Sequence, residues 1–198
     1  MILGRKAFEE KSRESEVQRG RVEDRNISVI DTPGFFNTEL TDEDLQNEMM
    51  KSLSLSYPGP HVFLLTVNLD TFTEDDVRKI VKKIGKNFGA HVLKFTLVLF
   101  IREHISNREW MVFKSRKTCQ DLISHFRGKY HVINSYSDTT EIPTLVETLD
   151  AVVRQNDDQH YSNENYAIFP VVRNQDQREK VLVAKTSEYL HVITVANL

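Results

Sequence analysis

Residues 27–34 read Ile27-Ser28-Val29-Ile30-Asp31-Thr32-Pro33-Gly34, and this octapeptide decides how the chain is to be folded. Its first half is a short β-branched apolar run, entered from a polar turn at Asp24-Arg25-Asn26, and reads as a strand. Its second half puts a carboxylate, a hydroxyl and a Pro-Gly bend directly after that strand. In open α/β sheets ligands bind beyond the carboxyl ends of the strands, so the position is informative. Two readings stay open at this point. In a nucleoside-triphosphate site an aspartate here holds Mg²⁺ through water, and the glycine amide meets the terminal phosphate. In the plainer reading Asp31 closes a Pro-Gly turn.

Working outward, further apolar runs share the strand's character. Val62-Phe63-Leu64-Leu65-Thr66-Val67 and Lys94-Phe95-Thr96-Leu97-Val98-Leu99-Phe100 are nearly continuous, and His131-Val132-Ile133 is shorter. Such runs fit parallel strands buried on both faces. Amphipathic stretches lie between them. Thr41 with Asp44 forms a capping signal ahead of Leu45, Met49 and Leu53, and Thr73 with Asp76 does the same ahead of Val77, Ile80, Val81 and Ile84, with Gly89 as a stop. Ser106 with Glu109 starts a third stretch, in which Trp110, Phe113, Cys119, Leu122, Ile123 and Phe126 fall on one side before Gly128. Ile142, Leu145, Val146, Leu149, Val152 and Val153 recur at helical spacing, with Pro143 acceptable in the first turn. Strands alternating with helices predict an α/β layered domain with a mainly parallel sheet.

Composition narrows the classes of function. The 198 residues suffice for one domain with a substantial core, and a net charge of −3 with mixed signs excludes a polybasic nucleic-acid binder. Cys119 is the single cysteine, so no internal disulfide forms and a reducing compartment is expected; on a helix face it reads as a core residue. No window of ~18 apolar residues exists to span a membrane. The first residues carry neither a secretion signal nor a glycine at position 2, so the expectation is a cytoplasmic protein. The seven histidines are scattered without zinc-ligand spacing, and no nucleophile–histidine–acid order stands out.

Longer stretches carry a resemblance. Ile2-Leu3-Gly4-Arg5-Lys6, Val29-Ile30-Asp31-Thr32-Pro33-Gly34-Phe35-Phe36, Leu55-Ser56-Tyr57-Pro58-Gly59-Pro60-His61-Val62-Phe63-Leu64-Leu65 and Phe72-Thr73-Glu74-Asp75-Asp76 follow one another. Gly128-Lys129-Tyr130-His131-Val132-Ile133-Asn134 and His160-Tyr161-Ser162-Asn163-Glu164 come after them. In this order, from about Ile2 to Tyr166, they resemble the G domain of the immunity-associated nucleotide-binding proteins, the GIMAP family. The resemblance implies a Ras-like P-loop NTPase fold over residues 1–166, with a divergent tail at 167–198. It also implies GTP or GDP with Mg²⁺, association with other GIMAP G domains as homo- or hetero-oligomers, and a role around intracellular membranes in immune cells. The nucleotide-binding positions it marks are Asp31, Thr32, Pro33, Gly34, Arg102, Glu103, Asn134 and Ser135, with Asp31 also the metal position. The Tyr57-Pro58-Gly59-Pro60-His61 box reads first as a rigid bend that delivers the chain into a strand.

The sequence also departs from that family. Gly-x-x-x-x-Gly-Lys-Ser/Thr occurs nowhere in it, although that loop supplies the amides, lysine and hydroxyl that wrap phosphates and Mg²⁺. Four lost charge-assisted hydrogen bonds at roughly 1.5–3 kcal/mol each remove about 6–12 kcal/mol. A micromolar site is worth only about 8 kcal/mol in total. The chain is therefore expected to bind GTP weakly or not at all. Ser15-Glu16-Val17 runs straight into Gln18-Arg19-Gly20 without the threonine of the first switch. At Arg102-Glu103-His104 the family's aspartate is absent, and Glu103 either stands in for it or, like Asn134, is a solvated loop residue.

The expected G domain is incomplete at its amino terminus. The first strand of the family's sheet lies between the strands found here at 27–31 and 62–67, so two buried edges would be exposed unless something fills the gap. Residues 181–184, Val-Leu-Val-Ala, are the candidate. A function of another class is a nucleotide-independent interaction module that associates with full-length relatives through the helices around residues 45–53 and 77–84. GTP hydrolysis is not expected, since no water-positioning group can be named.

Overall fold

The computed structural model describes residues 2–3, 13–34, 39–134, 139–162 and 189–195. Six strands form one sheet in the order β1-β2-β6-β3-β4-β5. Strands β1 (Glu16–Val22) and β2 (Arg25–Asp31) make an antiparallel hairpin, turning at Glu23 and Asp24 with Glu23 at φ 50°. Every other neighbouring pair, among β2, β6 (Leu190–Val195), β3 (Val62–Asn68), β4 (Thr96–Ile101) and β5 (Tyr130–Ile133), is parallel. An α/β domain with a mainly parallel sheet is thus the observed fold.

The gap between residues 27–31 and 62–67 is filled, and by a strand later in the chain than the one expected. β6 runs parallel to both neighbours, with Val29 opposite Val192, Asp31 opposite Thr194 and Phe63 opposite Ile193. Residues 181–184 lie outside the described residues. Alternation along β6 explains why it fits a two-faced slot. Ile193 and Val195 face one core with α1 (Asp42–Leu55), α2 (Glu74–Phe88) and α4 (Lys117–His125), while Leu190 and Val192 face the other with α5 (Ile142–Gln155). Burying four aliphatic side chains is worth on the order of 6–12 kcal/mol before the entropy of ordering the strand.

The helices form where their caps place them. Asp44 N–H donates to Thr41 Oγ1 at 3.1 Å, and Glu109 N–H to Ser106 Oγ at 3.3 Å. The Asp76 carboxylate accepts from Thr73 N–H at 2.8 Å, and α2 ends at Gly89, whose φ of 75° suits a residue without a Cβ. Leu45, Met49 and Leu53 of α1, and Val77, Ile80 and Ile84 of α2, are buried in the core.

Two expectations need correction. The stretch after Ser106 is two helices, α3 (Asn107–Ser115) and α4, because Arg116 is extended at φ −69°, ψ 141°. Ser115 Oγ donates back to Val112 O at 2.7 Å, a local bond that competes with helix continuation. In α3 no residue is fully buried, but Trp110 and Phe113 pack half-buried against the core beside Phe100, while Cys119, Leu122 and the following Phe126 are buried in it and Ile123 lies against it. Lys94 and Phe95 belong to a 3-10 turn (Ala90–Phe95), so β4 starts at Thr96.

The Tyr57-Pro58-Gly59-Pro60 bend, with a cis Tyr57-Pro58 bond, leads into β3. Gly59 sits where a Cβ would meet the Tyr161 carbonyl and stand 2.7 Å from His160 Cδ2. Tyr161 returns a backbone bond to Pro60 O at 2.8 Å and donates its hydroxyl to Phe88 O. Among the described residues no helix is long and apolar enough to cross a membrane.

If β6 is integral to the sheet, truncating one of its core side chains carries the full cost of a cavity. Ile193→Ala is expected to lower unfolding stability by about 2–5 kcal/mol in a denaturant titration. Met111→Ala, at a position 63% exposed, changes it by under about 0.5 kcal/mol.

Candidate functional site

The expected site residues sit at the carboxyl ends of β2, β4 and β5, on one edge of the parallel sheet. With strands ~4.8 Å apart, the Asp31 group at β2 and the Arg102 group at β4 are separated by roughly 14 Å, three strand steps. The structure therefore gives them a common edge as two separate clusters.

At the first cluster Asp31 is the last residue of β2, and Thr32-Pro33-Gly34 follow it, with Thr32 and Pro33 buried. Thr194 of β6 faces Asp31 in register and donates its hydroxyl to Asp31 Oδ1 at 2.5 Å. Thr32 Oγ1 donates in turn to Thr194 O at 2.7 Å. The half-buried Asp31 carboxyl has its pKa raised, chiefly by burial; the Thr194 hydroxyl bond opposes the rise, and Glu16, its partner across the hairpin, adds to it.

At the second cluster, register carries Ile101 of β4 beside Ile133 of β5, and Arg102 N–H donates to Ile133 O at 3.1 Å. Arg102 Nη1 donates to Asn107 Oδ1 at 2.5 Å, while its buried Nε has no hydrogen-bond partner among the described residues. Glu103 beside it is exposed. Asn134 is held by Glu141, which accepts from its backbone N–H at 2.6 Å and from its side-chain amide at 2.5 Å. Ser135 lies outside the described residues. Thr194 and Glu141 are the participants that sequence reading missed. Glu141 stands just before the Ile142-Pro143 helix start, where an acidic residue was visible, but Thr194 is joined to Asp31 only by the strand register.

The first cluster supplies only part of what a Mg²⁺–triphosphate group needs. It presents one carboxylate, and one of that carboxylate's oxygens is bonded to a strand neighbour. Among the described residues no three His, Cys, Asp or Glu side chains are placed to hold a metal ion. Magnesium bound with a nucleotide takes one or two carboxylates, phosphate oxygens and waters, so a single carboxylate is an ordinary protein share, and here one of its oxygens is already bonded to Thr194.

The sheet, its two helical layers and the order of the motifs define a G domain of the P-loop GTPase class. The sequence pattern of the AIG1 family matches residues 1–180, and the chain belongs to that family. It is 26% identical over 179 residues to GTPase IMAP family member 8 of Homo sapiens, which covers 82% of this chain and 26% of that protein. To its namesake in Mus musculus it is 33% identical over 111 residues, 52% of this chain and 16% of the relative. Immune-associated nucleotide-binding protein 9 of Arabidopsis thaliana is 24% identical over 200 residues, 91% of this chain and 58% of the relative. The chain thus spans between 16% and 58% of the length of these relatives.

Asp31 gives a test with a definite sign. Its folded-state pKa lies above the unfolded value near 3.8, so the folded domain favours the protonated form. That contribution is complete below the unfolded pKa and is lost as pH rises through the folded one. At pH 7 the ionised group therefore costs stability. Asp31→Asn removes the charge and keeps an acceptor for Thr194, and is expected to stabilise the domain at pH 7 by roughly 0.5–2 kcal/mol. In thermal melts the advantage should shrink as acid protonates the wild-type carboxyl.

Proposed function

We propose that this chain is a G domain of the GTP-binding switch family whose own hold on GTP or GDP is weak or lost. The observation that carries the reading is Thr194 bonded to Asp31 from a strand that occupies the middle of the sheet. The family side is supported by the AIG1 match and by relatives whose names mark them as GTPases and nucleotide-binding proteins. The weak-binding side is supported by the absence of a Gly-x-x-x-x-Gly-Lys-Ser/Thr loop from the sequence and by the engagement of Asp31 and Asn134 with protein partners. In a binding-competent version, Asp31, Thr32, Pro33 and Gly34 would meet Mg²⁺ and the terminal phosphate, while Arg102, Glu103, Asn134 and Ser135 would meet the base. The place of action under this reading is the cytoplasm, at intracellular membranes through partners.

Isothermal titration with Mg²⁺-GTP and Mg²⁺-GDP tests it. The chain as written is expected to give no binding at micromolar concentrations, and a version carrying a family-type amino-terminal strand and phosphate loop is expected to bind. Micromolar affinity in the unaltered chain would overturn the magnitude estimate and require another segment to cradle the phosphates.

A second reading, a nucleotide-independent interaction module, is shaped by where α1 and α2 point. Their apolar faces are in the core, so association with a relative would run through their charged outer surfaces, where Lys86 already pairs with Asp42 at 3.9 Å. Such contacts are screened by salt. Co-purification with a full-length relative should therefore be indifferent to added nucleotide and weaken sharply between 50 and about 500 mM salt. An association that survives high salt, or that needs GTP, removes this reading.

A further inference from the structure

Three of the histidines that look scattered in the sequence converge at the opposite end of the slot from Asp31. His61, just before β3, stacks on His191 of β6 with ring centroids 5.9 Å apart and planes 6° from parallel. His160, in the segment after α5, meets the His61 ring edge-on at 6.3 Å. Two hydrogen bonds tie the first pair. His61 N–H donates to His191 O at 2.9 Å, and His191 N–H donates to His61 Nδ1 at 3.1 Å. A backbone N–H can only donate, so His61 Nδ1 must carry a lone pair and the ring proton sits on Nε2. An imidazolium has protons on both nitrogens. Protonating His61 therefore converts an accepting contact into two opposed N–H groups.

We propose that His61, His160 and His191 form an acid-sensitive latch, in which protonation of His61 releases β6 from the slot between β2 and β3. The charges around His61 favour release. His191 faces it from β6, His160 from beyond α5 and Arg25 from β2, all of them resisting a positive charge on its ring, while Asp158 opposes them. Arg25 is fixed by Asp150 of α5, with Nη2 2.6 Å from Oδ1, so part of its charge is neutralised without leaving the site. His191 is fully buried, which leaves the pair little water to solvate a cation. In the folded state burial, then these neighbours, lower the His61 pKa from 6.5 to about 4. The folded state thus binds fewer protons than a state with β6 released. Its advantage is complete above the unfolded pKa and drains away as pH falls toward the folded one.

Hydrogen exchange read by mass spectrometry on the full chain, between pH 7.5 and 4, tests the latch. After correction for intrinsic exchange, protection of the 190–195 amides should fall by up to about tenfold per pH unit between roughly 6.5 and 4. Protection of β4, shielded from the slot by β3, should fall less. His61→Asn keeps an acceptor near the Nδ1 position and cannot titrate, so it should retain β6 protection and flatten its pH dependence. His160→Gln should leave the slope in place. On the unaltered protein, nitrogen NMR of the His61 ring should show the Nε2–H tautomer at pH 7 and a neutral ring at pH 5.5. A His61 midpoint near 6.5, equal losses in β4 and β6, or a slope that survives His61→Asn would each overturn the proposal. If the variants do not fold, the His61 midpoint by NMR together with the β6 and β4 protection of the unaltered protein still decides the matter.

Discussion

The structure rests on the pairing of one strand with two edges at once. β2 and β3 face each other across a single strand width, and each presents a row of N–H and C=O groups toward the gap. An open gap there would bury those groups without partners or expose two edges able to pair with other chains. β6 satisfies both rows in parallel register and adds side chains to both cores. The hairpin on one side and the three strands on the other are one sheet only because of it.

The same strand determines what the candidate site can do. Its Thr194 reaches Asp31 at the end of β2, and its hydroxyl takes one oxygen of that carboxylate. At the end of β5, Glu141 accepts from the backbone N–H and from the side-chain amide of Asn134. Asp31 and Asn134 both stand at strand ends, and both are bonded to other residues of the protein. These polar groups are committed to holding the fold.

How legible this was in the sequence varied with the range of the interaction. The three cap pairs, Thr41 with Asp44, Thr73 with Asp76 and Ser106 with Glu109, are local, and each marks a helix start in the structure. The apolar runs of β3 and β4 are strands because nothing but a two-faced interior suits them. β1 left no comparable signal: Glu16–Val22 is an edge strand with polar residues on its open side, and its sequence reads equally as a loop. The break at Arg116 is a single extended residue between two helices on the same side, below what periodicity can resolve. For the central strand the reading reached the requirement but not the segment. Residues 181–184 and 190–195 are both apolar enough, and register across 130 residues or more, with His191 beside His61 and Thr194 beside Asp31, is not written in local pattern. That long range also hid the convergence of the histidines.

The position of β6 in the chain has a consequence for how the protein is made. About 120 residues separate the end of β3 from the start of β6, yet the two are neighbours in the sheet. At ribosomal speeds of roughly 5–20 residues per second, a nascent chain holds β2 and β3 without their shared partner for about 6–25 s. Hydrophobic collapse of the finished parts is orders of magnitude faster than that. Each finished part can therefore collapse before β6 exists, and until β6 is made β2 and β3 each carry an open edge able to pair with other chains.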